Sequence, residues 1–562
     1  MRRYCNAGFI GGFFALLIST VAWAVPPVVA PTQPGQVQQH LQIEEERPEV
    51  GGPAIITLPS ENGKNKPLKE GVTFEFKGVI FENLTVFTAE QLRPDYEPYL
   101  DKEVTLSTLN EIVSNITAHY RNAGYVLSRA VLSPQRIEDG IVRIRIISGY
   151  VDKVSFEGVK DTSGLLNDYA DKIRDAKPLN TATLERYLLL IEDLPGVTAH
   201  AALRPSPSAH GASDIIITIT QKPVDGSVTV DNRSTRYLGP VEGSVTVNAN
   251  NALGLYDRTS LRGVSSTSPD EMRYAQVDHQ EQLDSEGTKV DVSAGYTHTA
   301  PGYRLTPFDI NGRDMVYSAE VSHPFIRSRQ TNMYGDVKFD VRQTDTSSLG
   351  DNLYDDKLRV LRAGGSYDFV DPLLAINKFQ GEVSKGLNWD TSSNTGLRST
   401  ATGTPDFIKG TMQASRLQPI EGPVNLYIST TGQASANTLL TAEQFSLGGA
   451  NFGSAYDPSE IIGDSGIAGR VELQYNRSGD FYYLPNYQLY GFYDIGTVWT
   501  RNAAAGLKDT ESLADVGVGT RFNIMEPVSG GLEIGWPLTR KVAADGGDGY
   551  MPRLFFSLAY RY

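Results

Sequence analysis

Two short stretches contain residue types that could support catalysis or metal binding. Residues 463–466 have the sequence Gly-Asp-Ser-Gly, which also surrounds the nucleophile of one class of serine proteases. Residues 545–549, Asp-Gly-Gly-Asp-Gly, could form one fragment of a calcium-binding repeat. A single copy of either stretch is more typical of a turn, because glycine and aspartate are turn-forming residues.

Other catalytic signals are missing from the sequence. It contains no His-Glu-x-x-His, Gly-x-Ser-x-Gly, Walker A or Rossmann motif, and its seven histidines have no metal-ligand spacing. We therefore expect no enzymatic activity, no metal site and no cofactor.

Asp494 indicates a different kind of chemistry. It lies in the stretch "GFYDIGTVW", which otherwise has the aromatic and β-branched residues of a strand. On such a strand Tyr493 and Ile495 would face one side, and Phe492, Asp494 and Gly496 the other. A carboxylate on the second side needs a polar partner. The stretch therefore predicts a strand with one apolar face and one polar face.

Composition limits the classes of protein. The chain has 562 residues and a formal net charge of −15, which argues against a nucleic-acid partner. Hydrophobic residues make up 40% and charged residues 21%, and tyrosine (28) outnumbers phenylalanine (21). This composition is too polar for a helical membrane protein and rich in residues that suit strands.

The first 24 residues have the pattern of a secretory signal. A charged start is followed by an apolar run and the small-x-small cleavage pattern "AWA". The alternative is an uncleaved membrane anchor, but Pro26 and Pro27 follow directly and favour cleavage. The single cysteine, Cys5, would leave with the signal, so we expect no disulfide in the mature chain.

Two α+β domains are predicted after a linker. Residues 25–68 are rich in Pro, Gln and Glu and contain one possible short helix, Gln36 to Glu46. Residues 69–150 and 151–222 each follow the order strand, helix, strand, strand. In the first, apolar residues spaced by three and four predict a helix over 106–122. The shared order indicates a weak internal repeat.

The remaining residues, 223–562, alternate in segments of about ten residues separated by turn-forming residues, which is typical of a transmembrane β-barrel. A soluble β-sandwich is the alternative. The predicted signal peptide, together with the absence of cysteine from the mature chain, favours the barrel. The predicted fold class is an all-β transmembrane β-barrel of about 16 antiparallel strands, preceded by two small α+β domains.

The last segment, "RLFFSLAYRY", predicts the closing strand. Leu554, Phe556, Leu558, Tyr560 and Tyr562 would face one way, with an aromatic residue at the very end.

Several separated motifs resemble one known family, in the family's order. "YRNAGYVLSRAVLSPQRIEDGIVRIRIISGYV" and "LERYLLLIEDLPGV" resemble its two POTRA (polypeptide-transport-associated) domains. "VDNRSTRYLGP" and "NALGLYDR" resemble its first barrel hairpin, and "FSLGGANFGSAYDPSEIIGDSG" its inward-folded loop. Over roughly residues 70 to 562 the chain resembles the two-partner-secretion outer-membrane transporters (haemolysin-activator and filamentous-haemagglutinin transporter family, TpsB type) of the POTRA-plus-barrel superfamily.

The resemblance implies a contact between the loop, about residues 445–468, and the barrel wall. "FYDIG" matches the family's wall motif, here Phe492, Asp494 and Gly496. The loop's tip corresponds to residues 453–456, and Tyr456 falls in family register. Where the family carries an arginine that contacts the wall aspartate, this chain has Ser454. Arg470, on the strand that leaves the loop, is a candidate substitute.

The resemblance also implies partners and location. The two POTRA domains would lie in the periplasm of a Gram-negative cell and capture a large unfolded exoprotein, of adhesin, haemolysin or haem-scavenging type, by strand addition to a sheet edge. The candidate residues on the first domain's edge strand and helix groove are Leu109, Ile112, Tyr120, Val142 and Ile144. The barrel would contact outer-membrane lipid, and export would proceed without ATP. The segment around residues 32–48 corresponds in position to a helix that plugs the resting barrel in this family.

Biogenesis implies further partners. Phe556, Tyr560 and Tyr562 would form the assembly signal for the barrel-assembly machinery, with periplasmic chaperones assisting. The alternatives to secretion are a barrel-assembly insertase of the same superfamily, a passive porin, or an outer-membrane enzyme. Two POTRA domains disfavour the insertase, the long α+β region disfavours the porin, and the missing nucleophile constellation disfavours the enzyme. A gene for a very large β-helical secreted protein beside this one would favour secretion.

Overall fold

The computed structural model describes residues 29–42, 56–57, 73–161, 163–209, 211–389, 397–481, 484–503, 508–525, 527–545 and 550–562. The predicted signal segment lies outside these ranges. The first elements are a 3-10 turn (Ala30–Thr32), helix α1 (Pro34–Gln42) and a two-residue strand β1 (Ile56–Thr57). Among the described residues, no helix has both the length and the apolarity needed to cross a membrane.

The first α/β domain packs one long helix on a small sheet. It contains β2 (Phe74–Phe76), β3 (Gly78–Glu82), β4 (Lys102–Val104), α2 (Leu106–Asn122), β5 (Arg129–Leu132) and β6 (Ile141–Ile147), with 3-10 turns at Arg93–Asp95 and Glu97–Tyr99. Helix α2 covers the predicted range. Thr105 caps its start by accepting a hydrogen bond from the Thr108 backbone, and Gly124, at a φ of 89°, follows its end.

The second α/β domain repeats this plan. It contains β7 (Tyr150–Glu157), α3 (Leu165–Asp175), α4 (Thr181–Glu192), β8 (Val197–Pro205) and β9 (Ala212–Gln221). In the first domain, β3 runs parallel to β6, and β5 lies antiparallel on the other side of β6. In the second domain, β7 runs parallel to β9, and β8 lies antiparallel on its other side. Asn180 caps α4 through the Ala182 backbone, 2.9 Å away.

The rest of the chain forms a closed barrel of sixteen strands. From β10 to β27 the bounds are β10 (Val224–Asp231), β11 (Glu242–Asn250), β12 (Arg258–Ser266), β13 (Met272–Gln282), β14 (Lys289–Thr299), β15 (Ile310–Arg327), β16 (Thr331–Ser348), β17 (Asp351–Val370), β18 (Ile376–Gly386), β19 (Ile408–Glu421), β20 (Val424–Ser435), β21 (Phe445–Leu447), β22 (Ile461–Gly463), β23 (Ser465–Phe481), β24 (Leu484–Trp499), β25 (Thr510–Met525), β26 (Val528–Pro537) and β27 (Arg553–Arg561). Strands β21 and β22 pair only with each other and are not part of the barrel wall.

Strand β27 closes the barrel against β10, with Tyr560 opposite Val228. The remaining 3-10 turns are Tyr303–Phe308, Thr441–Glu443 and Ala543–Asp545. The prediction of about sixteen antiparallel strands is confirmed.

The alternation of the wall is visible on β24. Leu489, Tyr493 and Ile495 are exposed on the outer face, whereas Tyr490, Phe492 and Asp494 are buried on the lumen side. This is the pattern of a barrel with an apolar exterior and a polar interior. Asp494 is therefore a lumen residue of a regular strand.

The second α/β domain is joined to the barrel through charged side chains. Arg327 at the end of β15 binds Asp193 with two contacts, at 2.7 and 2.8 Å. Glu286, in the turn between β13 and β14, accepts hydrogen bonds from Lys172 (2.7 Å) and Tyr187 (3.2 Å). Partial burial acts to raise the pKa of the Glu286 carboxyl, but the Lys172 ammonium and Tyr187 hydroxyl outweigh it and lower that pKa.

Candidate functional site

The segment between β20 and β23, residues 436–464, folds back into the barrel and is here called the inward loop. Its tip is buried although it belongs to no wall strand: Ser454, Ala455, Tyr456 and Asp457 are each at most 1% exposed. Gly448, Gly449 and Gly453 have positive φ angles, which allow the tight turns that lead into the tip and begin it. The loop therefore fills part of the lumen.

Asp494 contacts both the wall and the loop tip. On the wall, Arg470 of β23 lies directly opposite it in register, and its Nε and Nη2 lie 2.8 and 3.0 Å from Oδ1 and Oδ2. On the loop, the backbone amides of Gly453 and Ser454 donate to Oδ2, at 2.9 and 3.2 Å. Asp494 thus accepts four hydrogen bonds, two of them in a bidentate ion pair.

Ser454 stands where the resemblance implies a loop arginine, and its hydroxyl contacts Arg470 of the wall. Arg470 Nη2 donates to Ser454 Oγ, and Arg470 Nη1 donates to the Ala450 carbonyl at 2.9 Å. One guanidinium therefore bridges the wall carboxylate and the loop tip. In this chain the cation comes from the wall strand, while the loop contributes backbone amides and a hydroxyl.

Phe492 and Gly496 each permit a close approach. The Arg470 guanidinium lies 4.5 Å above the centre of the Phe492 ring, a cation–π geometry. A Cβ added at Gly496 would lie 2.5 Å from Leu447 Cδ1, so glycine leaves the space that β21 occupies. All three residues of the wall motif are thus explained by contacts with the loop or with the arginine that holds it.

A second carboxylate, which the sequence analysis missed, lies beside Asp494. Asp515 of β25 is opposite Asp494 in register and accepts a hydrogen bond from the Ala455 amide at 2.8 Å. Tyr456 OH donates to the Ala514 carbonyl at 2.9 Å. Asp515 has the same sequence signal as Asp494, an aspartate at a lumen position of an alternating strand ("ADVGVGTRF").

The other end of the tip is held by the closing strand. Arg553 of β27 donates to the Ala455 carbonyl at 3.0 Å and pairs with Asp457 at 2.6 Å. Thr235 donates to the other oxygen of Asp457 at 2.7 Å. The loop tip is thus fixed to the closing strand β27 and to the connection between β10 and β11.

The Gly-Asp-Ser-Gly stretch forms the junction between the loop and β23. Asp464 is fully buried and accepts hydrogen bonds from the backbone amides of Leu439 and Arg501, both at 2.7 Å. Gln444 Nε2 donates to it at 3.2 Å. These contacts account for an aspartate at this position as the organiser of the loop's two limbs.

Helix α1 lies inside the barrel, between the inward loop and the wall. Gln38 Oε1 accepts a hydrogen bond from Thr297 of β14 at 2.8 Å, and Arg262 donates to the Leu41 carbonyl at 2.8 Å. Its observed start, Pro34, is two residues before the predicted one, because proline suits the first turn of a helix. The predicted residues 43–46 lie outside the described ranges.

The five residues predicted to contact a client are core residues instead. Leu109, Ile112 and Tyr120 of α2 and Val142 and Ile144 of β6 are all at most 1% exposed. They pack against one another between the helix and the sheet. The prediction was wrong about β6 as well: it is the central strand of its sheet, since β3 and β5 pair on its two sides. The helical periodicity therefore identified the buried face of α2 and not a binding surface.

A sheet edge that binds an extended segment is present in the second domain. The edge of β8 carries β1, with Ile56 opposite Ala201 and Thr57 opposite Ala202 in a parallel pairing. The strand order of that sheet is β1, β8, β9, β7. A segment of the chain's own linker thus occupies the position of an added strand.

The residues proposed as an assembly signal lie on the outer face of the closing strand. Phe556, Tyr560 and Tyr562 are 37%, 47% and 40% exposed. Tyr562 also exchanges backbone hydrogen bonds with Gly226 at 3.1 and 3.2 Å. The C-terminal residue therefore takes part in the seam between the first and last strands.

Comparison with known proteins decides the family. The model of the haemolysin secretion/activation protein family ShlB/FhaC/HecB matches residues 211–522, more than half of the chain. The chain belongs to this family. The model of the ShlB-type POTRA domain matches residues 74–149, the first α/β domain.

Relatives and a solved structure agree with this assignment. The chain is 23% identical over 483 residues to the heme/hemopexin transporter protein HuxB of Haemophilus influenzae, covering 83% of each. It is 24% identical over 469 residues to the outer membrane transporter CdiB of Escherichia coli, covering 78% of this chain and 76% of the relative. The structure of CdiB from Escherichia coli has a TM-score of 0.70 at 20% identity and covers 91% and 94% of the two chains.

The family assignment confirms the predicted function. Like its family, the chain is an outer-membrane transporter that exports an exoprotein by two-partner secretion. This conclusion fits better than the alternative of a barrel-assembly insertase.

Proposed function

We propose that this family member captures its client in the periplasm by adding an extended client segment to the β8 edge of the second α/β domain. The client then passes unfolded through the barrel lumen and folds outside the cell. Backbone hydrogen bonds to the strand edge would supply affinity, and the alternating side chains of the client strand would supply specificity.

The observation that carries this proposal is the parallel pairing of β1 with β8. An edge that accepts a two-residue segment of the linker offers its backbone donors and acceptors to any extended segment. The client segment would replace β1, so the linker and the client would compete for one edge.

Passage through the lumen requires helix α1 to leave. We propose that α1 closes the resting barrel and is released when the client engages β8. The linker joins α1 to β1, so displacement of β1 would free the segment that tethers the helix. Folding of the client on the outside would remove the unfolded species and so give export its direction without ATP.

The class of client follows from the family. We propose a large secreted protein of adhesin, haemolysin or haem-scavenging type. The family model is named for haemolysin secretion, and HuxB is named for heme/hemopexin transport. During biogenesis, Phe556, Tyr560 and Tyr562 would be recognised by the barrel-assembly machinery, with periplasmic chaperones holding the chain before insertion.

A reversible disulfide tests the edge. The pair Ile56→Cys and Ala201→Cys would tie β1 to β8, and Cys5, the chain's single cysteine, lies in the predicted signal. We expect oxidised cells to stop exporting the client and reduced cells to resume. Export is measured as client at the cell surface and in the medium.

A matched disulfide serves as the control. Thr198 and Thr220 are opposite each other on β8 and β9, so Thr198→Cys with Thr220→Cys cross-links the same domain and leaves β1 free. We expect it to export normally in both redox states. Normal export by the oxidised Ile56–Ala201 pair would contradict strand addition at this edge.

A further inference from the structure

The inward loop has a second group of buried charges, which contacts strands other than the one that carries Asp494. Glu443 ends the 3-10 turn Thr441–Glu443 and is buried. Its Oε1 lies 2.7 Å from Arg362 Nη2, and its Oε2 lies 2.8 Å from Lys409 Nζ. Both cations belong to the wall, on β17 and β19 respectively.

The backbone of this turn is bound by the wall as well. Lys409 Nζ and Gln433 Nε2 donate to the Glu443 carbonyl, at 2.9 and 3.0 Å. Arg342 Nη1 donates to the Ala442 carbonyl at 3.1 Å. Four wall strands, β16, β17, β19 and β20, thus direct donors at a turn of three residues. Such convergence fixes the turn's position more strongly than one ion pair would.

Helix α1 rests on the same turn. Gln36 Nε2 donates to the Thr441 carbonyl at 2.5 Å, and Gln36 Oε1 accepts from Ser459 on the loop's other limb at 3.2 Å. The helix backbone approaches so closely at Gly35 that an added Cβ would lie 2.8 Å from Ala442 Cβ. The first turn of α1 therefore docks on the loop segment that Glu443 holds.

We infer that Glu443 is the positioning residue for α1: by binding Arg362 and Lys409 it fixes the turn that forms the docking site of the helix. The loop then has two anchors with separate tasks. Asp494, Asp515 and Arg470 hold its tip, and Glu443 holds the base on which α1 rests. This inference depends on the proposed function of α1 as the closure of the resting barrel.

The physical reason is the cost of unpaired buried charge. Without the Glu443 carboxylate, the buried Lys409 would lose its ion pair beside Arg362, which keeps Asp340 (2.6 Å) and Glu382 (3.4 Å) as partners. The turn would lose its strongest contacts, while the tip contacts of Asp494 would remain. The docking site of α1 would then become mobile, and the helix would leave the lumen more often.

Ion conductance in planar bilayers tests the inference. Four proteins are compared: wild type, Glu443→Gln, a deletion of residues 34–42, and the combination. We expect Glu443→Gln to raise the open-to-closed ratio by about tenfold or more, the scale set by loss of a charged hydrogen-bonded contact. The combination should behave as the deletion alone.

Glu472→Gln is the matched control. Glu472 is also a buried glutamate of the lumen wall paired with an arginine, Arg521 at 2.8 Å, and it lies on β23, away from the turn. The substitution changes the lumen charge by the same amount, so we expect the gating of wild type. The electrophoretic shift on heating checks that every variant is a folded barrel.

The outcomes separate the inference from the proposed function. A deletion of 34–42 that leaves the conductance closed would overturn the proposed role of α1. If the deletion opens the pore but Glu443→Gln gates as wild type, the inference about Glu443 is wrong. An increase with Glu443→Gln that persists in the deletion background would also contradict it, because the residue would then act on the pore directly.

Gly35→Ala changes the helix side of the docking contact and leaves the wall charges intact. Alanine favours a helix more than glycine does, so helix propensity alone would keep the pore closed. The close contact with Ala442 predicts the opposite, a more open pore. Unchanged or reduced opening would contradict docking on this turn.

Discussion

Asp494 shows how one buried carboxylate can hold a loop tip that offers it only backbone amides. Its four hydrogen bonds come from Arg470 and from the amides of Gly453 and Ser454. Burial of an ion pair is costly, so the pair persists only where both partners are well satisfied. The bidentate geometry and the two amides meet that condition.

A double-mutant cycle measures this coupling. We expect Arg470→Ala or Asp494→Ala alone to lower the free energy of unfolding by about 3–5 kcal/mol, because each leaves an unpaired buried charge. The double variant should cost less than the sum of the two. Urea unfolding in detergent, followed by tryptophan fluorescence, gives the three values. Additive effects would contradict a direct ion pair.

Gly496 is predicted to be sensitive for a steric reason. In Gly496→Ala the new Cβ would lie 2.5 Å from Leu447, so β21 must move, at about 1–3 kcal/mol. Protease accessibility of the inward loop should rise, and Leu447→Ala should partly restore protection.

Gly491→Ala, on the outer face of the same strand, is the control for Gly496→Ala. A Cβ added there has its nearest neighbours 3.8 Å away. We expect loop accessibility to stay at the wild-type level. Equal sensitivity at Gly491 and Gly496 would contradict the steric explanation.

At the scale of elements, the contacts of α3 and α4 with the barrel, here called the joint, hold the second α/β domain, and with it the edge of β8, against the barrel. The pKa of Glu286 is lowered in the folded protein, so its contribution to the joint is complete above the ordinary glutamate pKa. As pH falls through the lowered pKa, the carboxylate is protonated and that contribution is lost.

Because the pKa of Glu286 is lowered in the folded protein, we expect the joint to loosen only in acid. Spin labels on α4 and on the turn between β13 and β14 should report one narrow distance at neutral pH and a broader distribution once the pH falls through the lowered pKa of Glu286. Glu286→Gln should show the broad distribution at all pH values. A joint that is unchanged in acid, or that loosens on going from neutral to alkaline pH, would contradict this account.

At the scale of the whole molecule, periodicity was enough for the barrel but not for the site's partners. The alternation around Asp494 placed it in the lumen. Its partner on the adjacent strand β23, Arg470, could be named because that strand follows the loop directly. Glu443 could not be paired in advance, because Arg362 and Lys409 lie on strands whose register no local pattern fixes. The assignment of Leu109 and Val142 to a client-binding surface was wrong for a different reason, because their apolar periodicity marks the buried face of a helix and of a strand.

The most direct test compares the secreted and outer-membrane proteins of cells with and without this transporter. The account predicts that one large exoprotein disappears from the surface and the medium, that complementation restores it, and that the other barrel proteins keep their amounts. An unchanged set of secreted proteins, or a general loss of barrel proteins, would contradict export by two-partner secretion.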